Sequence, residues 1–168
     1  TSPLNNWSGG TTIEAGVLQV GDGTSNGTIG SGTITMTNGR LAFNRPDPYT
    51  IAETIASFQD GTTPGIENNG AGLLTLNANN IGFNVGSNGI TLELGGTGDG
   101  VVDGPIASGG AAANILKDGV GKWTLNDINT NYSGNTTINA GTLEITGLLE
   151  KGTYAQTITN NGTLIFNT

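Results

Sequence analysis

Asn131-Tyr-Ser-Gly-Asn-Thr-Thr-Ile-Asn-Ala-Gly-Thr-Leu-Glu-Ile145 is a near copy of Asn6-Trp-Ser-Gly-Gly-Thr-Thr-Ile-Glu-Ala-Gly-Val-Leu-Gln-Val20. The two stretches lie 125 positions apart (131 minus 6), and nine of their 15 aligned residues are identical. Such self-similarity is the signature of a repeat architecture, in which each unit occupies the same environment as the next. We therefore take this stretch as the unit that decides the fold.

A shorter pattern recurs between the two copies. It consists of a glycine, one or two further residues, and a triplet with apolar residues at its first and third positions. Alternation with a period of two is typical of a β-strand that has one buried face. Asn-Gly pairs, which tolerate a positive φ, separate many of these triplets and mark turns. The pattern begins at Gly16, Gly39, Gly72, Gly89, Gly121, Gly141 and Gly162.

The spacing between these glycines, 17 to 33 residues, favours a solenoid. An antiparallel sandwich would also use Asn-Gly turns, but it has no reason to repeat one sequence along the chain. We therefore predict an all-β fold, a parallel β-helix of about 7–8 coils, as a single domain over residues 1–168. The core of this helix is predicted to contain seven leucines stacked coil on coil: Leu18, Leu41, Leu76, Leu92, Leu125, Leu143 and Leu164.

The composition excludes several classes of protein. Gly, Thr and Asn account for 77 of the 168 residues (30, 26 and 21), and residues of these types weaken helices. The net charge is −8 with only five basic residues, so nucleic acid is not expected as a partner. No apolar stretch approaches the roughly 18 residues of a membrane helix, and no membrane insertion is expected. The absence of Cys and His excludes the usual zinc sites and Ser-His-Asp triads.

Few charges with abundant Thr and Asn are typical of bacterial extracellular β proteins, which predicts a secreted or cell-surface location.

A more specific pattern covers residues 115–146. Ile115-Leu-Lys-Asp-Gly-Val-Gly-Lys-Trp-Thr-Leu-Asn126, followed by the stretch from Asn131, resembles the autotransporter-associated β-strand repeat. The pattern of that family runs Leu-x-Lys-x-Gly-x-Gly-x-x-x-Leu, then Tyr-Ser/Thr-Gly, Thr-Thr and Ala-Gly-Thr-Leu, and Trp123 stands where the family usually has Leu. The resemblance implies a right-handed parallel β-helix from a secreted or surface-displayed bacterial protein. On size, composition and fold alone, the chain also resembles the β-helical xylan-binding modules of gut-bacterial xylanases.

The 13 acidic residues are scattered, and no pair has a spacing that demands a shared catalytic site. We therefore predict that the protein is not an enzyme and has no cofactor, with a β-helix polysaccharide lyase or hydrolase as a third interpretation. One exception to the predicted absence of a cofactor comes from two Gly-Asp-Gly turns, at 21–23 and 98–100. They indicate that a calcium ion could bind near Asp99 and Asp103. A plain tight turn is the competing interpretation of these residues.

Aromatic side chains are the candidate sugar platforms, because a flat apolar face with a polar rim suits a pyranose ring. Tyr49 ends the segment Asn44-Arg-Pro-Asp-Pro-Tyr49, in which the two prolines break any strand. We predict a ligand site there that also contains Arg45, Asp47 and Gln59; alternatively, the prolines only rigidify a connection between coils. Three further candidates, for which a structural role at a corner or in the core competes, are Trp7, Trp123 and Tyr132.

Two functions compete ahead of the enzyme interpretation. The first is a non-catalytic carbohydrate-binding module for a plant cell-wall polysaccharide, with a xylan-type β-1,4 glycan favoured. Its partners would be the polysaccharide and covalently linked catalytic or surface domains. The alternative is a structural or adhesive passenger segment of a bacterial autotransporter. Because 168 residues are few for a passenger, the binding module is preferred, and the chain is expected to be excised from a larger secreted protein.

Overall fold

The computed structural model describes residues 5–56, 62–77, 81–83, 89–104, 106–108, 113–126, 132–149 and 153–168. In these ranges the chain forms eighteen β-strands and no helix, so the all-β prediction is confirmed. None of the described segments is therefore a helix long and apolar enough to cross a membrane. The strands are, in chain order, β1 (Thr11–Ile13), β2 (Val17–Val20), β3 (Ile34–Met36), β4 (Arg40–Phe43), β5 (Tyr49–Ile51), β6 (Ile55–Ala56), β7 (Gly65–Asn68), β8 (Leu74–Asn77), β9 (Gly82–Phe83), β10 (Ile90–Gly96), β11 (Gly100–Asp103), β12 (Ala107–Ser108), β13 (Ala113–Lys117), β14 (Lys122–Leu125), β15 (Thr136–Ile138), β16 (Thr142–Ile145), β17 (Ile158–Asn160) and β18 (Thr163–Phe166).

The strands form stacked parallel sheets. A long sheet contains seven strands in the order β2-β4-β7-β10-β13-β15-β17, and a second sheet contains six in the order β5-β8-β11-β14-β16-β18. A third face holds β1-β3-β6 and, further along the chain, the pair β9-β12. Consecutive strands lie on different faces, whereas hydrogen-bonded neighbours are one full turn of the chain apart. This arrangement is a parallel β-helix, and that prediction is confirmed.

The number of regular turns is smaller than predicted. Seven strands stack in the long sheet, but only β1, β3, β6, β9 and β12 occupy the third face within the described ranges. The part with this third face is therefore about five turns long, in place of the predicted 7–8 coils. After β14 the chain returns to the long sheet without a further described strand on the third face.

The core consists of inward side chains aligned by the strand register. In the long sheet, Leu41 is aligned with Leu18 on one side and with Ile66 on the other. Five of the seven predicted leucines are at most 1% exposed, namely Leu41, Leu76, Leu92, Leu125 and Leu143.

Leu18 and Leu164, in the first and last strand pairs, are partly buried and pack against the same core. The leucines do not form one column, however, because the glycine-triplet pattern changes sheets along the chain. Leu18, Leu41 and Leu92 lie in the long sheet, and the other four lie in the second sheet.

Trp123 occupies space that a glycine leaves open. Its indole is completely buried and lies against Gly100 of the preceding coil, where an added Cβ would be 2.6 Å from ring carbons. The indole Nε1 donates a 3.0 Å hydrogen bond to the carbonyl oxygen of Gly95, so its polar atom is satisfied inside the core. Because Gly100 has no side chain, the core has room for Trp123 at the position where the family usually has Leu.

Candidate functional site

Lys117 is a lysine within an apolar column of the long sheet. Its position pairs with Leu94 in the preceding coil and with Ile138 in the following coil, and its side chain is completely buried. Burial lowers the pKa of Lys117. Its Nζ has three backbone carbonyl acceptors, which match the three protons of an ammonium group. These acceptors are Asp118 at 2.9 Å, Gly119 at 2.6 Å and, in the following coil, Ala140 at 3.2 Å.

Glycines bring the corners of adjacent coils into contact. Gly119 and Gly141 have positive φ values of 76° and 66°, a conformation that favours glycine. A Cβ on Gly141 would also lie 2.5 Å from the carbonyl oxygen of Gly119 and 2.7 Å from that of Gly121. Gly141 therefore permits direct contact between the backbones of these two coils. This contact helps to bring the Ala140 carbonyl within reach of Lys117.

Arg40 connects three coils on the outer surface of the long sheet. Its side chain lies over Gly65 of the next coil, where an added Cβ would be 2.9 Å from Nη1. Nη1 is 2.6 Å from a carboxylate oxygen of Glu67, and Nη1 and Nη2 donate to the two carboxylate oxygens of Glu93. The hydrogen bonds to Glu93 raise the pKa of Arg40 further, so the guanidinium stays charged.

Polar side chains also bond from coil to coil along the second sheet. Lys122 Nζ lies 2.9 Å from Glu144 Oε2, and this hydrogen bond lowers the pKa of Glu144. The Asn126 amide donates to Asp103 at 3.3 Å and accepts from the Thr146 hydroxyl at 2.6 Å. Such ladders connect successive coils parallel to the solenoid axis, as stacked polar side chains do in other repetitive β structures.

The predicted ligand site around Tyr49 is a packed cluster. The partly buried Tyr49 ring stacks on Phe43 with centroids 5.4 Å apart, and the guanidinium carbon of Arg45 lies 4.3 Å from the Tyr49 centroid. Arg45 is buried and donates to a backbone carbonyl oxygen, while the exposed Asp47 accepts from the Asn26 amide. Burial raises the pKa of Tyr49. The structure therefore brings Arg45 and Tyr49 together, in contacts within the protein.

The other predicted ligand residues are spread over the molecule. Gln59 lies outside the described residues. Trp7, near the N-terminal end, is 37% exposed, whereas Trp123 and Tyr132 are completely buried. The Tyr132 hydroxyl donates to the carbonyl oxygen of Asn135 at 2.8 Å, which gives this side chain a structural place at a corner. Ligand binding by the seven predicted residues stays a prediction.

The acids predicted to bind calcium take part in contacts between coils. Asp99 Oδ1 accepts the backbone N–H of Lys122 at 2.9 Å, and Asp103 accepts from the Asn126 amide. Across the part of the chain that the structure describes, no group of three acidic, His or Cys side chains could hold a metal ion. Calcium binding near Asp99 and Asp103 stays a prediction.

Sequence reasoning missed Lys117 and Arg40, two of the basic residues whose side chains join coils. A signal for Lys117 exists, because it continues the period-two alternation that begins at Ile115 and so falls on the inward face. Arg40 gives no such signal. Its partners Glu67 and Glu93 lie 27 and 53 residues away, and they can be identified only when the strand register is known.

Comparisons with known proteins identify a matching repeat family and a relative. The Passenger-associated-transport-repeat matches residues 2–20 and 115–145, which include both copies of the repeated stretch. The "Adhesin BmaC autotransporter" of Brucella suis biovar 1 (strain 1330) is 31% identical over 151 residues, which is 90% of this chain. The chain spans only about 4% of the length of that relative. No solved structure matches the chain.

These matches overturn the preferred function. The interpretation as a carbohydrate-binding module for xylan is wrong, and a polysaccharide partner is not supported, because both matches indicate autotransporter proteins. The argument from length failed because a chain of this size can be a small fraction of a passenger-bearing protein. The resemblance to the autotransporter-associated repeat and the secreted or cell-surface location in bacteria are confirmed. The chain is thus a parallel β-helix that carries passenger-associated-transport repeats in its first strand pair and in β13–β16.

Proposed function

We propose that this chain is a structural and adhesive segment of the passenger of a bacterial autotransporter. One observation carries the proposal: the residues that match the passenger-associated repeat include strands of an unbroken stack of seven parallel strands. The relative named as an adhesin supports the adhesive part. In such a segment the stack itself is functional, because it presents the outer surfaces of successive coils in a fixed register.

The contacts between coils support a rigid role. The stability of a solenoid is approximately a sum of the stabilities of its repeats and of the interfaces between neighbours. Here Arg40 strengthens those interfaces from outside by reaching across three coils, and Lys117 strengthens them from inside. We infer that further passenger coils are covalently linked to this segment and extend the same stack.

The segment is proposed to work without catalysis. Glu67, Glu93 and Glu144 are held in ion pairs that join coils. Asp22 and Asp118 accept backbone N–H groups of their own turns. A general acid or base must reach a proton of the substrate, whereas these carboxylates bind groups of the protein and fix the positions of strands and turns.

Surface display tests this function. The chain is placed between an epitope tag and the translocating domain of an unrelated autotransporter, in a non-adherent Gram-negative host. We expect the tag on the cell surface, a protease-resistant chain, and increased adherence to cultured epithelial cells. The matched control is Leu143→Asp, which places a charge in the core without changing the length. Equal adherence of the two strains at equal tag display would contradict the proposal.

A further inference from the structure

Two large apolar side chains are exposed in the middle of the stack, Leu73 at 43% and Val120 at 72%. Both lie between the long sheet and the second sheet, in corners whose flanking strands have described neighbours on both sides. The other large apolar side chains that are exposed among the described residues belong to the first coil or follow β16: Trp7, Val17, Leu148, Ile165 and Phe166. The exposure of Leu73 and Val120 is therefore a property of this corner and not of an end of the solenoid.

Leu73 belongs to a row of outward side chains that runs from coil to coil. Leu73 directly precedes Leu74 in the chain. Asp99 directly precedes Gly100, which is the partner of Leu74 in the second sheet. The backbone N–H of Leu74 donates to the carbonyl oxygen of Asp99 at 3.1 Å, so the two corners are in contact. Lys122 follows Asp99 in this row, which thus presents an apolar, an acidic and a basic side chain in successive coils.

A second row lies across a floor of glycines. An added Cβ on Gly98 would lie against the backbone of Gly70, and one on Gly121 would lie against the backbone of Gly98. The glycine backbones of three coils are therefore in direct contact, and they carry no side chain outward. Thr97 and Val120 directly precede Gly98 and Gly121, so they form the second row. The two rows and the glycines between them make a groove parallel to the solenoid axis, which we call the corner groove.

An indentation of about 360 Å³ lies in the corner groove between two coils. Its lining consists of Gly70, Ala71, Leu73, Thr97, Gly98 and Asp99. The side chains of Ala71 and Leu73 supply apolar surface, and Asp99 is the charged member of this described lining. The volume lies near the lower end of the roughly 300–1,000 Å³ of small-ligand pockets, which suits one long side chain.

Asp99 has the capacity for a further hydrogen bond. Its Oδ1 accepts the backbone N–H of Lys122 at 2.9 Å, and no residue of the described ranges bonds to its Oδ2. The ammonium of Lys122, the next side chain in the row, lies 2.9 Å from Glu144 Oε2 instead. The exposed Asp99 carboxylate therefore keeps one oxygen for a ligand.

The charge of the molecule selects a cation as that ligand. The net charge is −8. Of the basic residues that the structure describes, Arg45 and Lys117 are buried. Arg40 and Lys122 form ion pairs with glutamates. The surface around Asp99 consequently attracts cations. A side chain with an apolar stem and a cationic end, that is Arg or Lys, matches both the apolar wall and the carboxylate of the indentation.

The apolar and acidic pair is specific to these coils. Leu73 and Asp99 lie outside the residues that match the passenger-associated repeat, which are 2–20 and 115–145. Further along the same row, threonines hold the equivalent positions, Thr142 and Thr163. The general architecture of the corner therefore does not require a leucine or an aspartate at these places.

We propose that the corner groove binds an extended segment of a partner protein that carries Arg or Lys, one intervening residue and an apolar residue. The cationic side chain enters the indentation with its stem on Leu73 and its charge on Asp99, and the apolar residue contacts Val120. Val120 lies about one and a half coils, or roughly 7 Å, from the middle of the indentation, and alternate residues of an extended chain are about 6.6 Å apart on one side. This proposal rests on the adhesive function and states the chemistry of the partner.

Peptide binding to the whole 168-residue chain tests the proposal. The probe is the blocked peptide Gly-Ser-Arg-Thr-Leu-Ser-Gly, titrated into isotope-labelled protein and followed by amide NMR spectra. We expect a dissociation constant on the order of 1 mM, with the largest shifts at the amides of Leu73, Gly98 and Val120. The same peptide with Glu in place of Arg should not bind, and the peptide with Ser in place of Leu should bind several-fold more weakly.

Substitutions separate the parts of the corner groove. Asp99→Asn keeps an oxygen for the Lys122 N–H and should weaken peptide binding about tenfold or more. Leu73→Thr introduces the residue type of the equivalent positions and should weaken binding several-fold. The matched control is Asp103→Asn, which removes an exposed acid of the same strand pair outside the indentation and should bind like the parent. Val120→Thr, which nearly conserves shape, tests the groove without Asp99 if the Asp99 variant does not fold.

Several results would overturn the proposal. These are shifts confined to residues outside the corner groove, equal binding of the Arg and Glu peptides, or equal affinities of the parent and the Asp99→Asn variant. Equal losses in Asp99→Asn and Asp103→Asn would indicate attraction by overall charge, which also contradicts a specific groove.

The display assay separates the groove from the adhesive function. Asp99→Asn is expected to lower adherence at equal tag display, and Asp103→Asn is expected to leave it unchanged. Peptide binding at the corner groove by a chain that confers no adherence would refute the adhesive function alone. Adherence that is unaffected by Asp99→Asn, in a chain that does not bind the peptide, would refute the groove alone.

Discussion

Replacement of Lys117 by Met is predicted to lower the free energy of unfolding by about 2–4 kcal/mol. Methionine keeps an unbranched side chain between Leu94 and Ile138, so the apolar packing of the column is retained. The variant removes the three hydrogen bonds from Nζ, including the one to Ala140 in the following coil. It therefore isolates the hydrogen bonds of the buried ammonium from its packing.

The magnitude follows from two opposing terms. A hydrogen bond to a charged group contributes about 1.5–3 kcal/mol, so three of them contribute roughly 4.5–9 kcal/mol. Removing a buried ammonium also removes its desolvation penalty, which is several kcal/mol for one ion. The difference is a net loss of a few kcal/mol, because the carbonyl oxygens that lose their donor lie at a corner enclosed by two coils.

Urea unfolding followed by far-ultraviolet circular dichroism measures this loss. The matched control is Lys122→Met, at a lysine of the next strand whose ammonium makes an exposed ion pair with Glu144. That change should alter the free energy of unfolding by less than about 1 kcal/mol. A Lys117→Met variant as stable as the parent, or more stable, would refute the reasoning, because desolvation would then outweigh the three hydrogen bonds.

Three further predictions concern the core and the outer ladder. Gly100→Ala should destabilise the chain by about 1–3 kcal/mol through overpacking against Trp123. Thermal unfolding of the double-mutant cycle should show that Trp123→Leu recovers most of this loss, and additive effects would contradict the contact. Leu143→Ala should cost about 2–5 kcal/mol in denaturant unfolding, and a loss below about half a kcal/mol would place Leu143 outside the core. Glu144→Gln should reduce the loss of stability in acid, as urea midpoints from neutral pH to about pH 3 will show. The hydrogen bond from Lys122 lowers the folded pKa of Glu144 below the ordinary value of 4.5, so this contribution is present above that value and is lost as the pH falls through the folded pKa. An identical acid profile in both proteins would contradict the assignment.

The fold can be predicted from the sequence because apolar residues alternate with period two in the strands of successive coils. Leu41 and Leu143 are predicted to be buried by alternation alone, and both are. The alternation does not predict to which sheet each leucine belongs, because the same strand–corner–strand unit occurs at two different pairs of faces. Periodicity specifies the inward side of a strand, whereas the assignment to a sheet depends on how many strands precede it.

The chemistry of the corners is harder to predict, because the partners come from other coils. Lys117 is buried with its ammonium bonded to two carbonyl oxygens of its own turn and to that of Ala140, which the following coil supplies. Tyr49 is predicted to be displayed on a loop because prolines precede it, yet its ring packs against Phe43 and Arg45. In both cases local residue types indicate exposure, and contacts outside the local strand decide the outcome.

The use of one corner unit on two different pairs of faces has a consequence for how such rods change in evolution. β1 and β2 turn from the third face to the long sheet, whereas β15 and β16 make the same kind of turn one face later. The repeated unit of the sequence is therefore a bend, not a complete revolution. Gain or loss of one bend rotates all downstream surfaces about the axis by one face and changes the rod length by only a fraction of a coil. The length of the rod can consequently evolve separately from the direction in which the surfaces of its later coils face.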